Sequence, residues 1–164
     1  MEVKLLDPAV KDDSYCWLIS LGGSFIGVHA QAGWCMCIGD SVLVLDAESK
    51  FVPLGPLLEM QPAEFFAFLK TAATTNQYFA HQIEKFPWEM MLKHVFHTSY
   101  SSYWPERALV WLETDQALWP KFQNELLTFS NNKVMPQRAR QRARNMLRTV
   151  SHCESRSQLS QGQL

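Results

Sequence analysis

Tyr15-Cys16-Trp17-Leu18-Ile19-Ser20 runs into Gly22-Gly23, and Phe25-Ile26-Gly27-Val28-His29 follows at once. Two apolar runs of strand length separated by paired glycines read as a hairpin. A tight two-residue turn needs positive φ angles, which glycine adopts without a Cβ clash. The pattern repeats downstream with Trp34-Cys35-Met36-Cys37-Ile38, then Gly39-Asp40-Ser41, then Val42-Leu43-Val44-Leu45. Four short strands at spacings of about ten residues predict an antiparallel meander from Ser14 to Asp46.

From Pro62 the chain changes character. Proline recurs just ahead of helix-like patterns at Pro62, Pro87, Pro105, Pro120 and Pro136. It has no N–H to donate and a φ already near the helical value, so it costs least at the first helical position. The carboxylates Glu64, Glu89 and Glu106 fall in the presumed first turns, where the positive end of the helix dipole favours them. Helices are expected at about 62–82, 87–98, 105–116, 120–131 and 136–150, the first interrupted near Thr74-Thr75-Asn76. Strands first and helices after give the expected class: α+β, an N-terminal antiparallel β-meander packed with a C-terminal set of about four to five α-helices. One domain is expected over 1–150. The end of the chain, 151–164, is rich in Ser, Gln and Gly and is expected to be a disordered tail.

At 164 residues, with 47% hydrophobic side chains, six Trp and ten Phe, the chain has ample material for a core without disulfide staples. No apolar run approaches the roughly 18 residues a membrane span requires. Cys16, Cys35, Cys37 and Cys153 are too few and too clustered for a disulfide framework, and no apolar leader precedes Asp7-Pro8. The expectation is reduced thiols in a cytoplasmic protein.

Charge is sorted along the chain. Residues 1–132 carry 8 Lys+Arg against 15 Asp+Glu, a net of −7, and residues 133–164 carry 7 against the single Glu154, a net of +6. An acidic body repels nucleic acid and anionic lipid and attracts a basic surface. Five of its carboxylates, Asp40, Asp46, Glu48, Glu59 and Glu64, gather around Lys50 alone and read as a solvated or partner-facing patch rather than a catalytic dyad. Tyr103 and Trp104 are candidate interface anchors beside them.

Motifs for chemistry are weak. His94 and His97 stand three apart on a helix and share a face, with Glu89 or His81 as a third ligand candidate, yet no His-Glu-x-x-His arrangement exists. Cys35 and Cys37 share a strand face but lack the two-residue spacing of redox pairs and read as buried, inert thiols. Gly22-Gly23-Ser24-Phe25-Ile26-Gly27 precedes a strand, not the helix N-terminus a phosphate loop needs. No Gly-x-Ser-x-Gly elbow is present. No catalytic residue, metal or cofactor is therefore expected.

The arginine run Arg138-Ala139-Arg140-Gln141-Arg142-Ala143-Arg144 reads in two ways. Closely spaced guanidiniums suit successive phosphates of nucleic acid. Alternatively Ala139, Ala143, Met146, Leu147 and Val150, which recur along one helical face, dock the helix and let its arginines pair with the acidic body. The docked reading is preferred.

Trp104-Pro105-Glu106-Arg107-Ala108-Leu109-Val110-Trp111-Leu112-Glu113, then 122–129, then Gln137 to Arg144 resemble the helical end of some bacterial immunity proteins of contact-dependent growth inhibition and related polymorphic-toxin systems. The resemblance covers about a third of the chain. It implies a cytoplasmic, non-enzymatic protein that binds and neutralises a cognate toxin, commonly a nuclease with a basic surface. A nucleic-acid-binding module using the arginine helix, and a small enzyme with a site around His94 and His97, stay open as other readings.

Overall fold

The computed structural model describes residues 2–161, with side chains to His152. The meander is present and has five strands rather than four. β1 (Val3–Lys11), β2 (Tyr15–Leu21), β3 (Ser24–His29), β4 (Gly33–Ile38) and β5 (Ser41–Val44) form one antiparallel sheet in chain order. Gly22 and Gly23 take φ of 54° and 89°, the positive values that the hairpin turn demands. The unforeseen β1 contains Pro8, which cannot donate to a ladder, and its pairing with β2 shifts between Leu5 and Val10. An edge strand tolerates both features, because one side of its backbone has no partner strand to satisfy.

After the sheet come the 3-10 segment Glu48–Glu59, α1 (Pro62–Thr75), α2 (Ala80–Ile83), α3 (Trp88–Thr98), α4 (Tyr103–Leu112), α5 (Gln123–Asn131) and α6 (Gln137–Gln161), so the fold is α+β. Pro62, Pro87 and Pro136 stand at helix starts as expected. Pro120 does not: it lies inside a 3-10 segment, Gln116–Phe122, whose first turn is capped by Asp115 accepting from the Ala117 amide, and α5 begins only after it. α6 continues eleven residues beyond the expected end at 150. Of the tail foreseen over 151–164, residues 162–164, together with the side chains from Cys153 on, lie outside the described residues. The chain divides into two compact units, residues up to His94 and residues from Val95 on, with the boundary inside α3.

In the N-terminal unit one face of the sheet is core. The pairings Cys16↔Val28↔Trp34 and Ile19↔Ile26↔Met36 put these side chains on that face, and all are buried. Trp34 meets Phe86 edge-to-face at 4.8 Å, and Phe86 meets Phe65 of α1 at 4.9 Å. At the sheet's rim the Lys11 ammonium donates to the Asn76 side chain at the end of α1. Gly27 sits where β2 bulges between Trp17 and Ile19, and a Cβ there would lie 2.1 Å from the Cys16 carbonyl oxygen, so only glycine lets the two strands approach.

In the C-terminal unit α6 docks through the face foreseen. Ala139, Ala143, Met146 and Val150 are buried, and the helix packs on α5, α4 and the 3-10 segment before α5. Leu147 lies at the stripe's margin and is only half-buried. Trp111 and Phe122 are fully enclosed at the centre of this unit.

Candidate functional site

Three regions carry the chemistry, and each is described within its own unit. The first is the second face of the sheet. The register puts Val10, Trp17, Cys35 and Val44 in one row across it, with Phe25, Cys37 and Val42 in the next and Tyr15 beside His29. Tyr15 and Trp17 stack in parallel with centroids 5.1 Å apart, and His29 meets the Tyr15 ring edge-on at 4.9 Å. Val10, Phe25 and Val42 are 56%, 40% and 43% exposed. Below them Cys35 is enclosed, and burial pushes its thiol up to about 12, which leaves it protonated and unreactive. The Cys37 thiol donates to the Gly39 carbonyl.

The expected acidic patch belongs to the same unit. Asp40 is exposed in the β4–β5 turn, Glu59 and Glu64 are exposed at the end of the long 3-10 segment and the start of α1, and Glu48 at that segment's start is half-buried. Asp46 is paired with Lys50 one turn on, and this hydrogen bond holds its carboxyl below the ordinary value, so part of its charge is already compensated. Asp12 accepts from the Ser14 and Tyr15 amides, which lower its carboxyl in the same direction. The other two residues named from sequence, Tyr103 and Trp104, belong to the C-terminal unit. They meet edge-to-face at 4.8 Å, and the Arg107 guanidinium lies 5.5 Å from the centre of the Tyr103 ring.

The second region is the arginine helix. Arg142 donates from both Nε and Nη2 to the Glu113 carboxylate in a fork, and this bond raises the guanidinium further. Arg144 donates to the Ser130 carbonyl that ends α5. Two of the run's guanidiniums thus serve the unit's own acceptors, in keeping with the docked reading.

Of the third region the sequence flagged His97 alone. A cleft of about 310 Å³ opens where the last turn of α3, Pro105 of α4, the α5 helix and the α5–α6 connection meet, with Phe96, Phe129 and Met135 as apolar lining and Ser99, Asn124, Thr128 and Asn132 as polar lining. Glu125 reaches it from the first turn of α5, and its carboxylate accepts from His97 Nε2 at 3.0 Å. His94, one turn back on α3, is buried instead, so the two histidines meet different surroundings. Among the described residues no group of three His, Cys, Asp or Glu is placed to hold a metal ion. A pair 28 residues apart, on two helices, has no spacing that a sequence motif captures.

Compared with protein-family models, with curated proteins and with solved structures, the chain matches none. Among the described residues no helix is long and apolar enough to cross a membrane.

Proposed function

We propose that this chain is a cytoplasmic immunity protein that neutralises a cognate toxin, a nuclease above all, by occluding its basic surface without catalysis. The observation that supports this best is the second sheet face of the N-terminal unit: it carries the Tyr15–Trp17 stack together with the exposed Val10, Phe25 and Val42, in a unit with 6 Lys+Arg against 11 Asp+Glu, a net of −5. A nuclease presents Lys and Arg to hold phosphates, so an inhibitor gains from carboxylates that steer encounter and from aromatic anchors that desolvate the contact. Asp40, Glu59 and Glu64 supply the first, and the sheet face supplies the second.

The test is protection. The chain is co-expressed with the toxin domain encoded immediately upstream of its gene, and growth is followed with the parent, with Phe25→Glu and with Asp40→Lys/Glu64→Lys. Protection by the parent, loss with Phe25→Glu, and a slower association with the charge reversal that fades as salt shortens the screening length to about 8 Å are expected. A neighbour that is not toxic, or toxicity the parent does not relieve, overturns the reading.

A further inference from the structure

The cleft of the C-terminal unit plays no part in the proposed binding face, and its lining has a definite chemical preference. Of the described residues around it, Glu125 is the one carboxylate, and neither lysine nor arginine lines it. The Glu125 side chain is only 10% exposed, which is costly for a carboxylate unless a partner compensates it. His97 supplies one hydrogen bond, and the first turn of α5 supplies the positive end of the helix dipole. With a largely buried carboxylate and no lysine or arginine on its lining, the cleft favours a cation in a partly dry setting. An anion is disfavoured there. The neighbouring Phe96 and Phe129 rings meet edge-to-face at 90°, and aromatic faces attract cations. Asn124, Thr128 and Asn132 add side-chain oxygens that accept N–H donors, that of Asn132 through the lone pair left beside its bond from the Val134 amide.

We propose that this cleft binds an organic cation, a guanidinium or ammonium group on an aliphatic stem, with Glu125 as counter-ion, Phe96 and Phe129 beside the stem, and Asn124 and Asn132 on the remaining N–H groups. About 310 Å³ lies at the lower end of ligand pockets and suits a group the size of one arginine side chain, not a nucleotide. The same chemistry comes from two sources, an arginine or lysine of a partner protein or a free amine such as agmatine.

The experiment uses the full-length protein and follows backbone and side-chain amide resonances during titration with three probes: agmatine, arginine blocked at both ends as N-acetyl-arginine amide, and the uncharged isostere N-acetyl-citrulline amide. Saturable shifts centred on Asn124, Asn132 and the His97 backbone are expected from at least one guanidinium probe. The citrulline probe is expected to bind about tenfold or more weakly, the cost of losing a charged hydrogen bond. Glu125→Gln is expected to lose a similar factor, and because the citrulline comparison is made on the parent protein, it remains decisive if that variant does not fold. Stronger binding of blocked arginine assigns the cleft to a partner's side chain, and stronger binding of agmatine assigns it to a free metabolite. Absence of saturable shifts with both guanidinium probes, equal binding of citrulline, or shifts that map away from Asn124 and Asn132 overturns the proposal.

Discussion

In the N-terminal unit the excess charge is carboxylate and sits in turns and at helix starts, where Asp12, Asp13, Asp40, Glu59 and Glu64 are exposed. In the C-terminal unit the excess is cationic, 9 Lys+Arg against 5 Asp+Glu, yet Arg142 and Arg144 are bound by Glu113 and the Ser130 carbonyl. Opposite sorting along a sequence thus has unequal consequences in space. A turn carboxylate such as Asp40 stays exposed to a partner, whereas Arg142 and Arg144 are drawn into the docking of their own helix while Arg138 remains exposed. Net charge counts both kinds alike, and only the structure separates them.

The strongest way to break the comparison is to undock the helix. Ala143 is fully buried on the α6 stripe, so Ala143→Asp places an uncompensated carboxylate in the core of the C-terminal unit and should destabilise it by roughly 3–5 kcal/mol. Leu147→Asp, at the half-buried margin, should cost about 1–2 kcal/mol, the range for an imperfectly enclosed polar group. Chemical denaturation measures both. Equal and negligible losses would return the arginine run to solvent and restore the nucleic-acid reading.

The second perturbation strikes the other unit. In Gly27→Ala the added methyl meets backbone atoms, with Trp17 Cα at 2.7 Å and the Cys16 carbonyl carbon at 2.9 Å, and no flexible side chain stands there to move aside. A loss of about 2–3 kcal/mol is expected, the cost of overpacking a site that cannot relax. Amide exchange should localise it to β2 and β3 and leave α5 and α6 protected. Loss of protection spread evenly over both units would mean they unfold as one.

How much of this was legible in the sequence follows the same division. The hairpin at Gly22-Gly23 was readable because positive φ at two successive positions narrows the choice of residue to glycine. β1 was not, since Pro8, Asp7 and two lysines argue against a strand unless the strand lies at an edge, and edge position is a tertiary fact. The 3-10 segment Glu48–Glu59 did leave a trace: Phe51, Leu54 and Leu57 recur every three residues, the 3-10 period, and all three are buried. Two prolines within the segment, Pro53 and Pro56, masked it. The α6 stripe was readable from periodicity alone. The His97–Glu125 cleft was not, because its members come from different helices.

A smaller effect sharpens the electrostatic half of the comparison. The Arg142–Glu113 fork is well directed, yet both side chains are roughly a third or more exposed, so solvent screening leaves it worth about 0.5–1 kcal/mol. Glu113→Gln should lower stability by that amount, and Arg142→Lys by nearly as much, since an ammonium cannot fill both positions of a planar fork. Thermal melts of the two variants and the double variant measure the coupling. A coupling of zero would mean that α6 is held by its apolar stripe alone.

The smallest expected effect is the acid response of the N-terminal unit. The Ser14 amide, then the Tyr15 amide, hold the Asp12 carboxyl below its ordinary value, and the Lys50 ammonium does the same for Asp46. A carboxyl whose folded value is depressed binds its proton more readily in the unfolded chain. Its contribution is therefore complete above the unfolded value of about 3.9 and is lost as pH falls through the lower folded value. Asp12→Asn keeps an oxygen that accepts from both amides but removes the charge. The variant should be slightly less stable than the parent near neutral pH, and its stability should fall less steeply between about pH 5 and 2. Asp46→Asn should remove a separate share of the slope, because its partner is Lys50 and not the β1–β2 turn. Amide exchange at Ser14 and Tyr15, followed across that interval, isolates the Asp12 share. An unchanged slope in both variants would place the acid sensitivity of this unit on other carboxylates, and would show that the turn between β1 and β2 holds its shape by backbone geometry rather than by the charge of Asp12.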